Sequence, residues 1–332
     1  KYGAGISFDQ AVSRDIGFFT RLGWSDGKTE TWAFTEIDRS ASGGFSIGGA
    51  RWKRRRDRLG LIGAVILAAF ILAALVALLA PGLVPNSAQA MTSSSAVLQP
   101  PNLAHPLGTD EYGRDLLARV WFGSELALEV GGLTVAIAYP IGVILGVVAG
   151  YRRGIVEEVI MRVTDMFLAF PSVLLAFVIA ATLGRGTEAV IIAMAVSFWP
   201  WYTRLVHSQV LAVRSQAFVE AAVVLGLPRR RIILRHILPN SITSSTIQAT
   251  MDIGSAILIG ASLSWLGLGP QPPTADWGVM FNAAYNRGSF VTFWWYSTFT
   301  GLAIFLLVLA FILVGDALRD ALDPKLRRRR LF

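Results

Sequence analysis

The sequence has 332 residues, of which 54% are hydrophobic and 16% are charged, and its formal net charge is +8. Its mean hydropathy is +0.54, and its apolar residues are concentrated in runs long enough to span a membrane, which a soluble core does not require. The composition therefore indicates an integral membrane protein. Cysteine is absent, which excludes a disulfide framework and a thiolate metal site.

The first 50 residues are soluble in character and predict a small extension that ends in a flexible Gly/Ser-rich linker at 40–50. No secretory signal peptide is evident, because a basic start, an apolar core and a cleavage site are not found together. Gly27-Lys28-Thr29 matches the end of a phosphate-binding loop, but Leu22 stands where the loop needs its first glycine. Gly44 to Gly48 has the spacing of a nucleophile elbow without the strand-turn-helix context. Neither a nucleotide site nor a hydrolase site is expected here.

Six apolar runs predict six transmembrane helices. Their approximate limits are 59–79, 127–150, 163–184, 188–206, 246–268 and 291–315. The basic cluster 51–58 directly precedes the first span, which places the N-terminus in the cytoplasm, and six crossings return the C-terminus to the same side. The segments placed inside contain 21 Lys and Arg residues and those placed outside contain four, as the positive-inside rule requires.

The chain therefore divides into three predicted parts. Residues 1–50 are a soluble cytoplasmic extension and linker, and residues 51–126 hold the first span and an external amphipathic segment. Residues 127–332 form the membrane core, which carries a polar cytoplasmic loop at 203–245.

This loop has the pattern of two helices joined by a tight corner. Apolar residues from Val210 to Leu225 recur at helical spacing and predict an amphipathic helix. Gly226 is expected to end it in the left-handed conformation, and Pro228 is suited to the first turn of a second helix. That second helix is short and basic, and we expect Pro239 with Asn240 to end it.

The loop resembles the EAA loop of ABC-importer permeases, which has Glu-Ala-Ala, a glycine four residues after the second alanine, and a terminal Leu-Pro. His236 stands where the family usually has isoleucine. The matching residues are Glu220, Ala221, Ala222, Gly226, Leu238 and Pro239. The resemblance implies a coupling helix that docks on a cytoplasmic ATPase, with the two alanines keeping it thin enough to enter a groove. Further candidate contacts are Leu227, Arg229, Arg230, Arg231 and Asn240. A helix lying on lipid is the alternative.

Two predicted external segments extend the resemblance to residues 51–332. The stretch His105 to Asp115 is similar to the HPLGTD-x-x-GRD segment of the C-type subunit of dipeptide and oligopeptide permeases, and an amphipathic approach helix is expected after it. The stretch Gln271 to Gly278 resembles the QPPT-x-x-WG element of the same subfamily. Candidate contacts with an extracytoplasmic partner are Asp110, Arg114, Asp115, Gln271, Asp276 and Trp277.

Small residues within the spans indicate either close helix packing or a pathway lining. In the second span, packing is the preferred interpretation for Gly142, Gly146 and Gly150, which recur at four-residue intervals. In the fifth span, Ser255, Gly260 and Ser262 leave both interpretations open.

Proline and ionisable residues in the spans suggest local bends and interfacial pairs. Kinks are expected at Pro140, Pro171 and Pro200. Asp165 and Asp252 both lie near predicted span ends. Asp165 is therefore expected to pair with Arg162, and Asp252 to reach headgroup water. The three histidines are dispersed without metal-ligand spacing.

The resemblance implies an all-α permease of the type I ABC-importer fold in a bacterial inner membrane. Its implied partners are a homologous second permease, two ATPase subunits that bind ATP and Mg, a binding protein that delivers dipeptides or oligopeptides, and membrane lipid. No catalytic residue, cofactor, metal or nucleic acid is expected for this chain. Import of nickel or another small solute is the nearest alternative. An ATP-independent channel or secondary carrier is the alternative from a different class.

Overall fold

A computed structural model describes residues 3–11, 16–25, 39–47, 53–92, 94–286 and 291–322. The chain divides into two compact units, residues 1–59 and residues 60–332.

The first unit contains a three-stranded antiparallel sheet. Its strands are β1 (Gly3–Ala11), β2 (Ile16–Ser25) and β3 (Arg39–Ile47), with β2 in the centre. The prediction of a flexible linker at 40–50 is wrong for residues 40–47, which belong to β3. Gly and Ser are poor strand formers, but pairing along β2 gives their backbone groups hydrogen-bond partners.

The rest of the described chain consists of helices joined by turns and loops. Its helices are α1 (Lys53–Leu79), α2 (Ala88–Met91), α3 (Leu116–Arg152), α4 (Ile155–Leu168), α5 (Ser172–Leu183), α6 (Thr187–Arg214), α7 (Ala217–Val224), α8 (Arg229–Ile232), α9 (Leu238–Ser241), α10 (Thr243–Trp265), α11 (Trp277–Asn286) and α12 (Trp294–Leu322). In the described residues, α1, α3, α6, α10 and α12 are each long and apolar enough to cross a membrane, and α4 with α5 can form a sixth, bent span. The six predicted spans correspond to these elements.

The predicted approach helix and second span form one continuous helix, α3. Its 37 residues correspond to roughly 55 Å, against a hydrocarbon core of about 30 Å. The predicted boundary at 126/127 therefore falls inside a helix. Asp115 caps the N-terminus of α3, since its side chain accepts a hydrogen bond from the Ala118 amide.

The third predicted span, 163–184, is not one straight helix. Helices α4 and α5 meet at an angle of 87°, and Pro171 stands at the start of α5. The helix breaks here because proline disfavours helical backbone in the residue before it. Asp165 pairs with Arg204 of α6 rather than with Arg162, which pairs with Glu158. The kink predicted at Pro171 thus lies at this break between two helices. The other two prolines, Pro140 and Pro200, lie inside the helices α3 and α6.

Helices α3 and α6 form the central contact of the bundle. A Cβ atom added at Gly142 would lie 2.4 Å from Tyr202 Cβ, and one added at Gly146 would lie 2.7 Å from the Thr203 carbonyl oxygen. At Gly150 the nearest atom of α6 would also be 2.7 Å away. The glycine series therefore serves close helix packing, and Gly260 does the same against Val130 of α3 at 2.8 Å.

Candidate coupling site

The corner after α7 has the hydrogen bonds of a Schellman motif. Gly226 adopts a φ of 70°, and its amide donates to the Val223 carbonyl at 3.0 Å. The Leu227 amide donates to the Ala222 carbonyl at 3.2 Å. A left-handed residue satisfies the last helix carbonyls in this way, and glycine takes that conformation without Cβ strain. The predicted corner is present.

The helix after the corner is longer and less regular than predicted. Pro228 is the N-cap of α8, and a π-helical turn, Ile233–Ile237, joins α8 to α9. Pro239 does not end the helix but lies in the first turn of α9, where a missing N–H is tolerated. Asn240 Nδ2 donates instead to the His236 carbonyl at 2.7 Å, so the prediction that Pro239 and Asn240 terminate the helix is wrong.

One face of residues 217–241, called the coupling segment below, is anchored to the membrane helices. Four of its side chains are buried in a single apolar cluster with the ends of α3 and α6: Val219, Ala222, Ile232 and Ile237. Leu227 and Leu238 are half-buried against the same cluster. Ala222 therefore faces the protein, and its predicted role in a partner's groove is corrected to one of anchoring.

The other face is exposed and carries most of the predicted coupling residues. The exposed residues are Glu220, Ala221, Gly226, Arg229, Arg230, Arg231, Pro239 and Asn240. Val224 and Leu225, which the sequence analysis did not select, are 86% and 78% exposed. Their signal in the sequence is a Val-Val-Leu run that continues past the apolar face already used for anchoring.

A groove of about 1110 Å³ borders this exposed face. Five arginines and one carboxylate line it, together with apolar side chains; these charged residues are Arg152, Arg153, Arg214, Arg229, Arg230 and Glu220. Arg214 is held in place because its Nη1 donates to the Tyr151 carbonyl at 2.9 Å. The combination of arginines with exposed valine and leucine is typical of a protein-docking surface.

The two predicted external segments, residues 105–119 and 271–278, are called the loop pair below, and their charged groups point inward. Asp110 is fully buried; it accepts from Arg114 Nε at 2.6 Å and from the Tyr112 and Arg114 amides at 2.9 Å. Arg119, also buried, donates to the carbonyls of Pro273 at 3.0 Å and Thr274 at 3.2 Å. Arg119 thereby joins the two parts of the loop pair.

The helix ends of the loop pair are capped by buried carboxylates. Asp115 Oδ2 lies 2.8 Å from His105 Nδ1 and 2.8 Å from Asn86 Nδ2. Asp276 accepts from the Val279 amide at 2.8 Å and from the Ser264 hydroxyl at 3.2 Å. Burial raises the pKa of Asp276 to about 6.

Most of the predicted contacts with an extracytoplasmic partner are therefore internal. Asp110, Arg114, Asp115, Asp276 and Trp277 are all buried, and the Trp277 indole donates to the Val120 carbonyl at 3.1 Å. The prediction of direct contact is wrong for these five, because their polar atoms are already used within the chain. Gln271 is exposed and is still a candidate.

Two of the fifth-span candidates, Ser255 and Ser262, are exposed. Ser262 borders an apolar groove of about 450 Å³ that Phe281 and Phe305 also line. In the part of the chain that the structure describes, no group of three His, Cys, Asp or Glu side chains could hold a metal ion.

This arrangement defines a class: a multi-pass helical membrane protein whose segment between the fourth and fifth spans is packed against the spans on one face and exposed on the other. The sequence profile of a family described as "Binding-protein-dependent transport system inner membrane component" matches residues 142–328. The chain belongs to this family, and it is a multi-pass protein of the bacterial inner membrane. The predicted class of helical permease is thereby confirmed for the membrane region, while the N-terminal sheet was not foreseen.

Curated relatives agree with this assignment in their names. The chain is 41% identical over 273 residues to the dipeptide transport system permease protein DppC of Alkalihalophilus pseudofirmus, covering 82% of this chain and 88% of the relative. It is 42% identical over 277 residues to the glutathione transport system permease protein GsiD of Shigella boydii, covering 83% of this chain and 90% of the relative. A methionine ABC transporter structure aligns with a TM-score of 0.49 at 19% identity, covering 63% of this chain and 96% of that one.

A second profile matches the opposite end of the chain. Residues 1–68 match a family described as "Carbohydrate-selective porin, OprB family", and the three-stranded sheet lies within this range. The match to the permease family begins only at residue 142.

Proposed function

We propose that this chain is one membrane-spanning permease subunit of an ATP-driven importer that moves dipeptides or oligopeptides delivered by a binding protein. The observation that carries the proposal is the coupling segment, one face of which is anchored to α3 and α6 while the other is exposed. The relatives named for dipeptide and glutathione transport supply the substrate class, since glutathione is itself a short peptide.

The exposed face of the coupling segment is the surface proposed to receive an ATPase subunit. Val224 and Leu225 provide apolar area to bury, and Glu220 with Arg229 to Arg231 provides charged contacts at its edge. In the proposed assembly, two such ATPases bind ATP and Mg, a homologous permease completes the membrane pathway, and both ends of this chain lie in the cytoplasm. This chain supplies no catalytic group and binds no cofactor; it transmits the motion.

Transmission follows from the anchoring contacts. Ile232 and Ile237 of the coupling segment are buried in the same cluster as Val206 and Val210 of α6. A closely packed cluster moves as a unit. Displacement of the coupling segment by an ATPase therefore displaces the end of α6, and α3 moves with it through the glycine contacts.

The test compares two glycines that have the same backbone conformation at different places. Gly226 has a φ of 70° and Gly267, at the end of α10, has a φ of 87°, and a Cβ atom at either would meet no atom within 4 Å. Valine at each position therefore adds backbone strain of about 1–2 kcal/mol, and its Cβ atom meets no neighbour. In proteoliposomes with all partner subunits, we expect Gly226→Val to abolish dialanine uptake and to reduce the ATPase that co-purifies with the chain. Gly267→Val should retain both.

The level of each variant in the membrane serves as the control for folding. Normal ATP-driven uptake by Gly226→Val would disprove the coupling role of this corner. Equal losses in the two variants would assign the effect to backbone strain alone.

A further inference from the structure

Helix α10 carries a polar face that packing within the chain covers only in part. Gln248, Asp252 and Ser255 follow one another at intervals of four and three residues, which places them on one side of the helix. Ser255 is exposed, and Gln248 and Asp252 are half-buried. Asp252 lies nine residues from the start of α10, about 14 Å along the helix axis.

The carboxylate of Asp252 lies among polar groups from three helices. Gln248 Nε2 donates to Asp252 Oδ1 at 2.8 Å, and the hydroxyl of Tyr202 from α6 lies beside the same carboxylate. Tyr139 from α3 packs edge-on against Tyr202 with ring centroids 5.4 Å apart. The Tyr139 hydroxyl is 2.7 Å from Thr246 Oγ1 of α10.

The Asp252 carboxylate lacks a cationic partner in the described part of the chain. The hydroxyl of the fully buried Tyr202 faces this carboxylate, and in the described residues it has no other partner at hydrogen-bond geometry. No Lys, Arg or His side chain of the described chain pairs with Asp252. A carboxylate within a span is costly unless it faces water or a cation, so the polar face of α10 is suited to a water-lined pathway and not to lipid.

We propose that this face lines the import pathway and that Asp252 binds the α-ammonium group of the peptide in transit, with Tyr202 and Gln248 positioning the carboxylate. An ammonium group has three donors and no acceptor, which complements a carboxylate that has no cationic partner. Every unmodified peptide carries this group whatever its side chains, so the contact allows one pathway to accept many sequences. This inference rests on the proposed function and identifies the part of the substrate that the membrane subunit recognises.

The charge of Asp252 can be removed with little change in shape. Asp252→Asn retains an oxygen that can accept from Gln248, whereas Asp252→Glu retains the charge. Hydrogen bonds to charged groups contribute about 1.5–3 kcal/mol, which corresponds to roughly a tenfold to hundredfold effect. In proteoliposomes with all partner subunits, we expect Asp252→Asn to reduce dialanine uptake per ATP hydrolysed by at least tenfold and Asp252→Glu to restore most of it. Uptake by Asp252→Asn equal to that of the unmodified complex would overturn the assignment.

Thiol labelling tests the water-lined face independently of the substrate. Because the chain has no cysteine, a single cysteine can be introduced without first removing others. We expect Ser255→Cys in the assembled complex to react with a small water-soluble thiol reagent and dialanine to slow that reaction. The matched control is Ile144→Cys on α3, an exposed apolar position, which should react at least tenfold more slowly. Equal rates at the two positions would show that this face of α10 is not water-lined.

The two experiments separate failure of the inference from failure of the proposed function. If the unmodified complex does not take up dialanine, the peptide-import proposal fails and the ammonium assignment fails with it. If that uptake is normal but neither Asp252→Asn nor dialanine protection has an effect, only the assignment fails.

Discussion

The loop pair and the coupling segment differ in the direction of their charged side chains. In the loop pair, Asp110 and Arg119 are buried. They form an ion pair with each other, and Arg119 also donates to the Pro273 carbonyl. In the coupling segment, Arg229 and Arg230 are exposed while apolar side chains point inward. A polar motif between two spans can therefore either hold a loop together or present a surface to a partner, and its spacing alone does not reveal which.

The difference follows from what each segment has available to bury. The coupling segment contributes valine, alanine and isoleucine to an existing apolar cluster on α3 and α6. The chain around Asp110 turns tightly at Gly108 and Gly113, both with positive φ. Its carboxylate accepts from the Tyr112 and Arg114 amides within these turns, and Arg119 donates to the Ala90 carbonyl of α2.

The largest effect is expected from Asp110→Ala. This change leaves Arg114 and Arg119 buried without their shared carboxylate, and breaking a buried ion pair in this way costs about 3–5 kcal/mol. We expect a large drop in the thermal midpoint of the purified protein, followed by tryptophan fluorescence. Gln271→Ala, at the exposed position of the same loop pair, should leave the midpoint nearly unchanged. If Gln271→Ala were as destabilising as Asp110→Ala, burial would not be the property that distinguishes these residues.

The opposite behaviour is expected from Val224→Asp in the coupling segment. Because Val224 is 86% exposed, the thermal midpoint should change little, as for other surface substitutions within about 0.5 kcal/mol. The amount of ATPase that co-purifies should fall roughly tenfold, since a docking contact that loses its apolar anchor loses more than 1 kcal/mol.

The control for Val224→Asp is Ile155→Asp, at an 81% exposed position at the start of α4. It adds the same charge at an exposed apolar site outside the coupling segment and should retain the ATPase. Equal loss of ATPase in the two variants would mean that the docking surface extends beyond the coupling segment or that the charge acts nonspecifically.

Sequence reasoning succeeded where local chemistry decides the structure. The Gly226 corner could be predicted because a left-handed residue after a helix favours glycine, and the spans could be predicted from the length of apolar runs. It failed where distant contacts decide. Arg119, which pairs with Asp110, is bonded to the carbonyls of Pro273 and Thr274, 154 and 155 residues away. The β3 strand likewise depends on pairing with β2.

The candidate site was predicted in its location but not in its orientation. The motif identified both Ala221 and Ala222, yet only the fold shows that Ala222 points into the protein. Val224 and Leu225 were missed because the motif does not include them. Which face of a short helix is exposed depends on the helices beneath it, and these lie outside the loop in the sequence.

The smallest effect is expected for the contribution of Asp276 to the pH dependence of the free energy of unfolding. Burial raises the pKa of this carboxyl from 3.8 to about 6, so its contribution to stability is fully present below pH 3.8 and is lost as the pH rises through 6. With about 1.4 kcal/mol per pKa unit, the free energy of unfolding should fall by about 1 kcal/mol more between pH 5 and pH 7.5 in the unmodified protein than in Asp276→Asn. Asparagine keeps an acceptor for the Val279 amide and removes the titration, so the difference between the two thermal midpoints isolates this carboxyl. A parallel pH dependence of stability in the two proteins would show that ionisation of Asp276 does not destabilise the fold. The loop pair would then stabilise this ionised carboxylate as well as it stabilises Asp110 beside its arginines.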